Sequence, residues 1–449
     1  MPITRVRKGL DVPLAGGSTS TEIVPGPAMR HVALLPADSV GLKIRLLVRE
    51  GDKVKRGTPL YQDRREEQVV YSAPAAGEVA KIHRGDKRKV LSVVIRVDDS
   101  EQQESFPPLT PATATREQVR DWLAKTGFWP CLRQRPFDKV ALFADTPHSL
   151  FITAADTNPL APSPKAILAG HEEAFRQGAI ALAKLSGGKT FITSARGEQS
   201  PAFQVPGTEH HEFAGPHPAG NVGIHISLLD PVGAAKRVWH IGYQDVLAIG
   251  QLLTTGKYPV ERVLALVGPG VKAPRWVRTR RGADLAELLH DNIAVANPRV
   301  VSGSALSGTI SPPGTATGYA GRYDNQITVI EDDSPREFLG WAGPGANKFS
   351  VTNTYIGKFL RKGFRFNTDT NGSHRAIVPI GVYESVMPLD IQPTYLIKAL
   401  ASNDIEAAEK LGALELVEED LALCEFVCPS KTAITKMLRE MLTRLEKEG

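Results

Sequence analysis

Three cysteines in 449 residues set the terms on which this chain folds. They are too few for a disulfide framework, so apolar cores must hold the fold together. They are also too few for an iron–sulfur cubane, which takes four thiolates. Residues 424–429 nevertheless read CEFVCP, the second half of a ferredoxin-type run. The stretch before it, LVEEDLAL, has no cysteine, and Cys131 lies far upstream. The expectation is that Cys424 and Cys428 are a degenerate iron–sulfur pair that binds no metal. That suits a structural or docking chain in an electron-transfer system better than a redox carrier.

Length allows about three domains. Hydrophobic residues at 42 % and charged residues at 23 % fit a soluble globular chain. A net charge of +5 is mild; it suits an anionic surface or an acidic partner without requiring either. Aromatic residues are 6 % and form no stripe with basic ones, which argues against nucleic acid. The start, MPITRVRKGLDVPLAGG, is basic but lacks the apolar stretch of a signal peptide. No apolar run approaches the roughly 18–20 residues that a membrane span needs. The chain is expected in a reducing compartment, soluble or peripheral to a membrane.

After an N-terminal segment, 1–30, residues 31–100 alternate Val, Ile and Leu between turns at Gly51–Asp52, Gly57, Gly77 and Gly85–Asp86. Short strands in two half-motifs follow from this pattern. They resemble the barrel-sandwich hybrid of biotinyl and lipoyl carriers. The stretch that corresponds to the carrier hairpin, DRREEQVV, has no lysine to modify, so a scaffold barrel is expected. Residues 101–115 are polar and Pro-rich and read as a linker. From 116 to 258, the segments FDKVALFADT and KTFITSA read as strands, and EEAFRQGAIALAKL and YQDVLAIGQLLTTG as helices. This alternation points to a Rossmann-like, partly parallel sheet. A GxGxxG turn is missing, so no dinucleotide is expected on a helix N-terminus. From 259 to 330, a strand, a Gly268–Pro269–Gly270 turn and a basic strand resemble the β-grasp module called SLBB. The region 331–449 reads as mainly helical. Its final helix carries Ile434, Met437, Leu438, Met441, Leu442 and Leu445 on one face. That face fits packing on the chain's own body or docking to a partner. The whole is a multidomain α/β chain.

Candidate chemistry is sparse. His210, His211, His217, His225 and His240 cluster in sequence beside Glu209 and Glu212, but match no zinc spacing. The loop GWAGPGANKFS carries Lys348 without a P-loop ending and reads as structural. SGSALSG, 302–308, lacks the nucleophile-elbow pattern. No catalytic residue, cofactor ligand or metal ligand is therefore assigned. Arg275, Arg278, Arg280 and Arg281 leave open an alternative, a soluble β-grasp module for a small anionic ligand. A free-standing flavin or iron–sulfur oxidoreductase is a third reading, against which the cysteine count and the missing fingerprint both argue.

Six strings, taken in order along the chain, carry one resemblance. They are KGLDVPLAGG (8–17), HPAGNVGIHISLLDPV (217–232), VWHIGYQDVLAIGQLLTTG (238–256), FLGWAGPGANKFSVTNT (338–354), RAIVPIGVYESVMPLDI (375–391) and LGALELVEEDLALCEFVCPSK (411–431). The chain resembles the NqrA family of the sodium-translocating NADH:quinone oxidoreductases, relatives of RnfC in the Rnf complex. The resemblance implies a respiratory complex that passes electrons from NADH to ubiquinone and exports sodium. It implies a peripheral position on the cytoplasmic face of the bacterial inner membrane, with other Nqr subunits as partners, chiefly the membrane protein NqrB. It also implies that FAD, FMN, riboflavin and the iron–sulfur centre belong to other subunits. If ubiquinone contacts this chain, the expected place is Pro218, Gly220, Trp239 and His240, which combine aromatic and hydrogen-bonding groups.

Overall fold

Two glycine turns set the first domain. Gly51 (φ 92°) and Gly57 (φ 88°) adopt left-handed conformations that other residues rarely hold. They fold the chain into a four-stranded and a three-stranded sheet. The first orders His31–Leu34, Val90–Val97, Gly77–Arg84 and Lys53–Val54; the second orders Ile44–Leu46, Pro59–Asp63 and Val70–Ser72. Val32, Leu60, Val79, Val93 and Ile95 are fully buried within this barrel sandwich. The hairpin between Asp63 and Val70 is the lysine-free tip. The computed structural model describes residues 2–332, 343–360 and 362–448.

The α/β domain is built on a seven-stranded sheet. Its order is Ile3–Arg5, Glu209–Ala214, Thr190–Ala195, Ser149–Ala154, Val238–Gly242, Arg133–Arg135 and Lys139–Val140. The first five strands are parallel and the last two antiparallel. The expected helices form as Glu172–Ala183 and Tyr243–Thr255. They cross closely because glycines face each other: a Cβ on Gly250 would meet the Ala174 carbonyl oxygen at 1.6 Å.

The strand expected over FDKVALFADT shrinks to Lys139–Val140. Phe137 (φ 81°) and Asp138 (φ 55°) make a tight turn that delivers only two residues to the sheet edge. The central strand is instead Ser149–Ala154, an apolar run buried on both faces.

A six-stranded sheet forms the β-grasp domain. Glu261–Val267 and Arg275–Arg280 pair antiparallel across the Gly268 turn, in keeping with the spacing. The N-terminal segment belongs to no single domain. Ile3–Arg5 extends the α/β sheet, Ile23–Pro25 extends the β-grasp sheet, and Leu14 bridges to Phe364. The Pro-rich stretch after 101 is also laid down rather than slack. Glu101 pairs with Arg56 and Arg280, the Gln103 side chain bonds Gly256 and Tyr258, and Phe106 packs on Tyr258.

The C-terminal helices Pro393–Ser402, Ile405–Lys410, Glu418–Val427 and Ile434–Glu448 enclose a second core. Ile434, Leu438, Met441, Leu442 and Leu445 of the last helix are all buried in it. The apolar face is thus used on the chain's own body, and the partner-docking alternative for it falls away. Among the described residues, no helix is long and apolar enough to cross a membrane.

Candidate functional site

The helix Glu418–Val427 carries the cysteine pair. Cys424 and Cys428 are each 1 % exposed and sit in the second core. Cys131, also buried, belongs to the first. Burial, with smaller effects from Glu384 and Cys428, pushes the Cys424 thiol up to about 12. Cys428 Sγ lies 3.0 Å from the Tyr383 hydroxyl. Cys424, held protonated in an apolar core that Cys428 shares, is a poor metal ligand and a poor nucleophile. Here both cysteines pack as small hydrophobic groups.

The first turn of the same helix meets the α/β domain through buried charge. Arg135, 1 % exposed, donates from Nη1 to Asp420 Oδ2 at 2.7 Å and from Nη2 to Glu419 Oε1 at 3.1 Å. Asp420 also accepts the Val417 amide at 2.9 Å, so one carboxylate caps the helix and anchors the arginine. Arg133 donates to Asp138 Oδ2 at 2.9 Å, and His240 Nε2 lies 3.0 Å from Asp138 Oδ1. Burial opposes ionisation of Asp138, but Arg133 and the bond with His240 outweigh it, so its carboxyl is held well below the usual range. Burial, reinforced by Arg133, lowers His240 to about 4, so the imidazole is neutral near pH 7. Glu419 moves the other way, raised by burial and by Asp420 beside it. The network fixes the orientation of the cysteine helix against the sheet.

The residues expected near quinone are not gathered into a cleft. Pro218, Gly220, Trp239 and His240 are all buried. Trp239 and His240 are neighbours on the strand Val238–Gly242, so their side chains point to opposite faces of the sheet. Trp239 stacks edge-on against Trp129, with centroids 5.4 Å apart, while His240 faces Asp138. Gly220 donates its amide to Thr157 Oγ1 at 2.8 Å, and a Cβ there would meet the Thr157 nitrogen at 2.5 Å. All four positions lie packed inside the α/β domain.

The other histidines disperse as well. His210 meets Ser194, His225 meets Thr193 and the Ala219 carbonyl, and His217 meets Thr157. Among the described residues, one trio has ligand atoms mutually within 4.8 Å: His31, Asp284 and Glu287. Asp284 caps a short helix there, and Glu287 bonds His31 and the Arg30 amide. Most arginines of the basic strand are engaged within the chain, Arg275 only by a 3.3 Å bond to the Ala273 carbonyl. Arg278 pairs with Glu261, Arg280 with Glu101, and Arg281 bonds the Pro259 carbonyl and lies over Phe128. In the Gly-rich loop, Gly340–Ala342 lie outside the described residues. A Cβ on Gly345 would strike the Tyr355 ring at 2.1 Å, so the described part is a packed turn.

Three family models match consecutive parts of the chain. They are the NqrA N-terminal barrel-sandwich hybrid domain over residues 4–98, the NqrA second alpha/beta domain over 114–258 and the NQRA C-terminal domain, SLBB, over 263–312. Relatives match from end to end, and three of them are the NqrA proteins of Na(+)-translocating NADH-quinone reductases. That of Histophilus somni is 47 % identical over 99 % of both chains. That of Pasteurella multocida is also 47 % identical, over 99 % of both. That of Saccharophagus degradans is 48 % identical over 99 % of this chain and 100 % of its own. The chain belongs to the NqrA family of the Na+-translocating NADH-quinone reductases. The barrel, Rossmann-like and β-grasp assignments follow with the family. The alternative of a free β-grasp module is not favoured by these end-to-end relatives. A NAD+-reducing [NiFe]-hydrogenase shares 13 % identity at a TM-score of 0.36 over half of this chain, too distant to bear on the argument.

Two features have little local signal. The Arg135 network is one; its only mark is an RQRPFDK run, whose three cations lie on and around a short strand that ends in the interior. The other is a cleft of about 450 Å³ where the barrel hairpin, the Pro136–Phe137 turn and the last helix meet. Val40, Leu42, Val69, Tyr71, Phe137 and Leu142 supply its apolar wall, and Arg65, Lys139 and Glu446 lie at its charged edge.

Proposed function

We propose that this subunit works without a redox centre of its own, as a peripheral docking protein on the cytoplasmic face of the bacterial inner membrane. It holds to the membrane subunits, chiefly NqrB, and shapes the approach of quinone. FAD, FMN, riboflavin and the iron–sulfur centre are left to other subunits. The observation that carries this reading is an end-to-end family likeness joined to a cysteine pair buried as packing. Three free, buried cysteines agree with a reducing compartment. The 450 Å³ cleft supports quinone access better than the 217–240 segment, because it is a cleft in which an apolar wall meets several charged and polar side chains.

The test is an affinity pull-down of the tagged chain from detergent-solubilised host membranes. Sodium-stimulated NADH:quinone activity should co-purify, while the chain expressed alone should be colourless. A chain recovered alone from well-extracted membranes, or one carrying flavin or iron, sinks the reading. For quinone access, Phe137→Ala should raise the quinone KM of the assembled complex several-fold. An unchanged KM removes the cleft from consideration.

A further inference from the structure

Residues 355–366 read YIGKFLRKGFRF. The second half of this string is anchored. Phe364 and Phe366 form an aromatic cluster with Phe349 and Phe426, with centroids between 5.5 and 6.2 Å apart. The Phe364 backbone is pinned to the N-terminal segment, donating to Pro13 at 2.7 Å and accepting from Ala15 at 2.8 Å. The first half faces outward. Ile356 is 46 % exposed, Phe359 70 % and Leu360 67 %, at and along the single helical turn Gly357–Leu360. Exposed apolar side chains elsewhere, such as Leu47, Leu228 and Ile310, stand singly, which is ordinary for a soluble surface. Three within five residues form a patch.

The local sequence around the patch is cationic. Between Gly343 and Thr368 the chain has Lys348, Lys358, Arg361, Lys362 and Arg365 and no carboxylate. Lys362 and Arg365 are exposed. The turn presents adjacent large apolar tips with cations beside them in the sequence. It matches the bilayer interface, where Phe and Leu sit at the headgroup boundary and Lys or Arg meets phosphate.

We infer that the Ile356–Leu360 turn, with Lys362 and Arg365 beyond it, docks on a membrane surface rich in anionic phospholipid, with Phe359 and Leu360 inserted at headgroup level and Lys362 and Arg365 on the phosphates. This deepens the peripheral-subunit reading and rests on it for the membrane's presence. The experiment is co-sedimentation of the full chain with vesicles of phosphatidylcholine alone and of an equal mixture with phosphatidylglycerol. The chain should sediment with the mixed vesicles and lose binding as salt rises. Lys362→Gln/Arg365→Gln should weaken partitioning about 25-fold at low salt, about five-fold per cation. Phe359→Ser/Leu360→Ser should weaken it on the order of ten-fold. Thermal unfolding of both variants should match the parent, because all four side chains are exposed.

A parent chain that ignores the mixed vesicles, or variants that bind as the parent does, would overturn the inference. If the parent ignores vesicles yet needs Phe359 and Leu360 to retain the membrane subunits, the surface belongs to a protein; the lipid assignment then fails and the peripheral-subunit reading stands. Vesicle binding lost in both variants, with no recovery of the complex by pull-down, supports the inference while sinking that reading.

Discussion

Two of the junctions between this molecule's domains use the same chemistry in different surroundings. Between the α/β domain and the cysteine helix, Arg135 is 1 % exposed and meets an Asp420 side chain that is 0 % exposed. Between the barrel and the β-grasp domain, Glu287 meets Arg30, 82 % exposed, and His31, 38 % exposed. Water screens the second set, so its attraction adds little. The first is dry, and each charge depends on its partner because neither can turn to solvent. A buried pair is weak evidence for net stability, but it discriminates strongly against misplacement. The lesson is that the cysteine helix is registered by electrostatics, whereas the barrel is held mainly by its apolar contacts and by the chain that threads past it.

Acid should have the largest effect. Burial lowers His217, His225 and His240 to about 4 each, against an ordinary 6.5. Their folded values are depressed, so the unfolded chain takes up protons first as pH falls. The neutral-histidine contribution is complete above about pH 6.5 and is lost between there and pH 4, at roughly 3 kcal/mol for each histidine that stays buried. Urea midpoints followed by tryptophan fluorescence should drop steeply across that range, and His225→Leu should flatten the slope. A pH-independent midpoint would mean that these histidines are not buried and neutral.

Arg135→Met should cost about 3–5 kcal/mol, because it strands the buried Asp420 without its cation. A double-mutant cycle with Asp420→Asn should give a coupling of about 2 kcal/mol. Near-additive losses would show that the pair does not register the helix. At the other junction, Glu287→Ala should cost about 1 kcal/mol or less by the same assay. A loss as large as that of Arg135→Met would erase the contrast between the two junctions.

What can be read from the sequence follows what is local. Gly51 and Gly57 punctuate alternating Val, Ile and Leu, so the barrel is visible. The helices 172–183 and 243–255 announce themselves by apolar spacing, as does the last helix. The strand Ser149–Ala154 escapes notice because a strand buried on both faces shows no alternation. FDKVALFADT looks as good, and a turn at Phe137–Asp138 that the sequence does not signal cuts it to two residues. The pairings of Ile3–Arg5 and Ile23–Pro25 join partners about two hundred residues or more apart, which no local pattern encodes. The set Pro218, Gly220, Trp239 and His240 fails to converge for a related reason. Aromatic, glycine and histidine residues suit a packed α/β core as well as they suit a quinone cleft. Arg135 is easily passed over because an arginine before a proline reads as surface. Only the fold shows that Asp420 comes to meet it.

The central claim is that Cys424 and Cys428 are packing and not electron carriers. The most direct test is sodium-stimulated NADH:quinone activity in the complex assembled with Cys424→Ala/Cys428→Ala. Two buried thiols exchanged for methyl groups should leave the assembled complex within about two-fold of the parent, with a stability loss of about 1–2 kcal/mol in the isolated chain. An intact complex that loses most of its activity would contradict the claim and return the pair to the electron path.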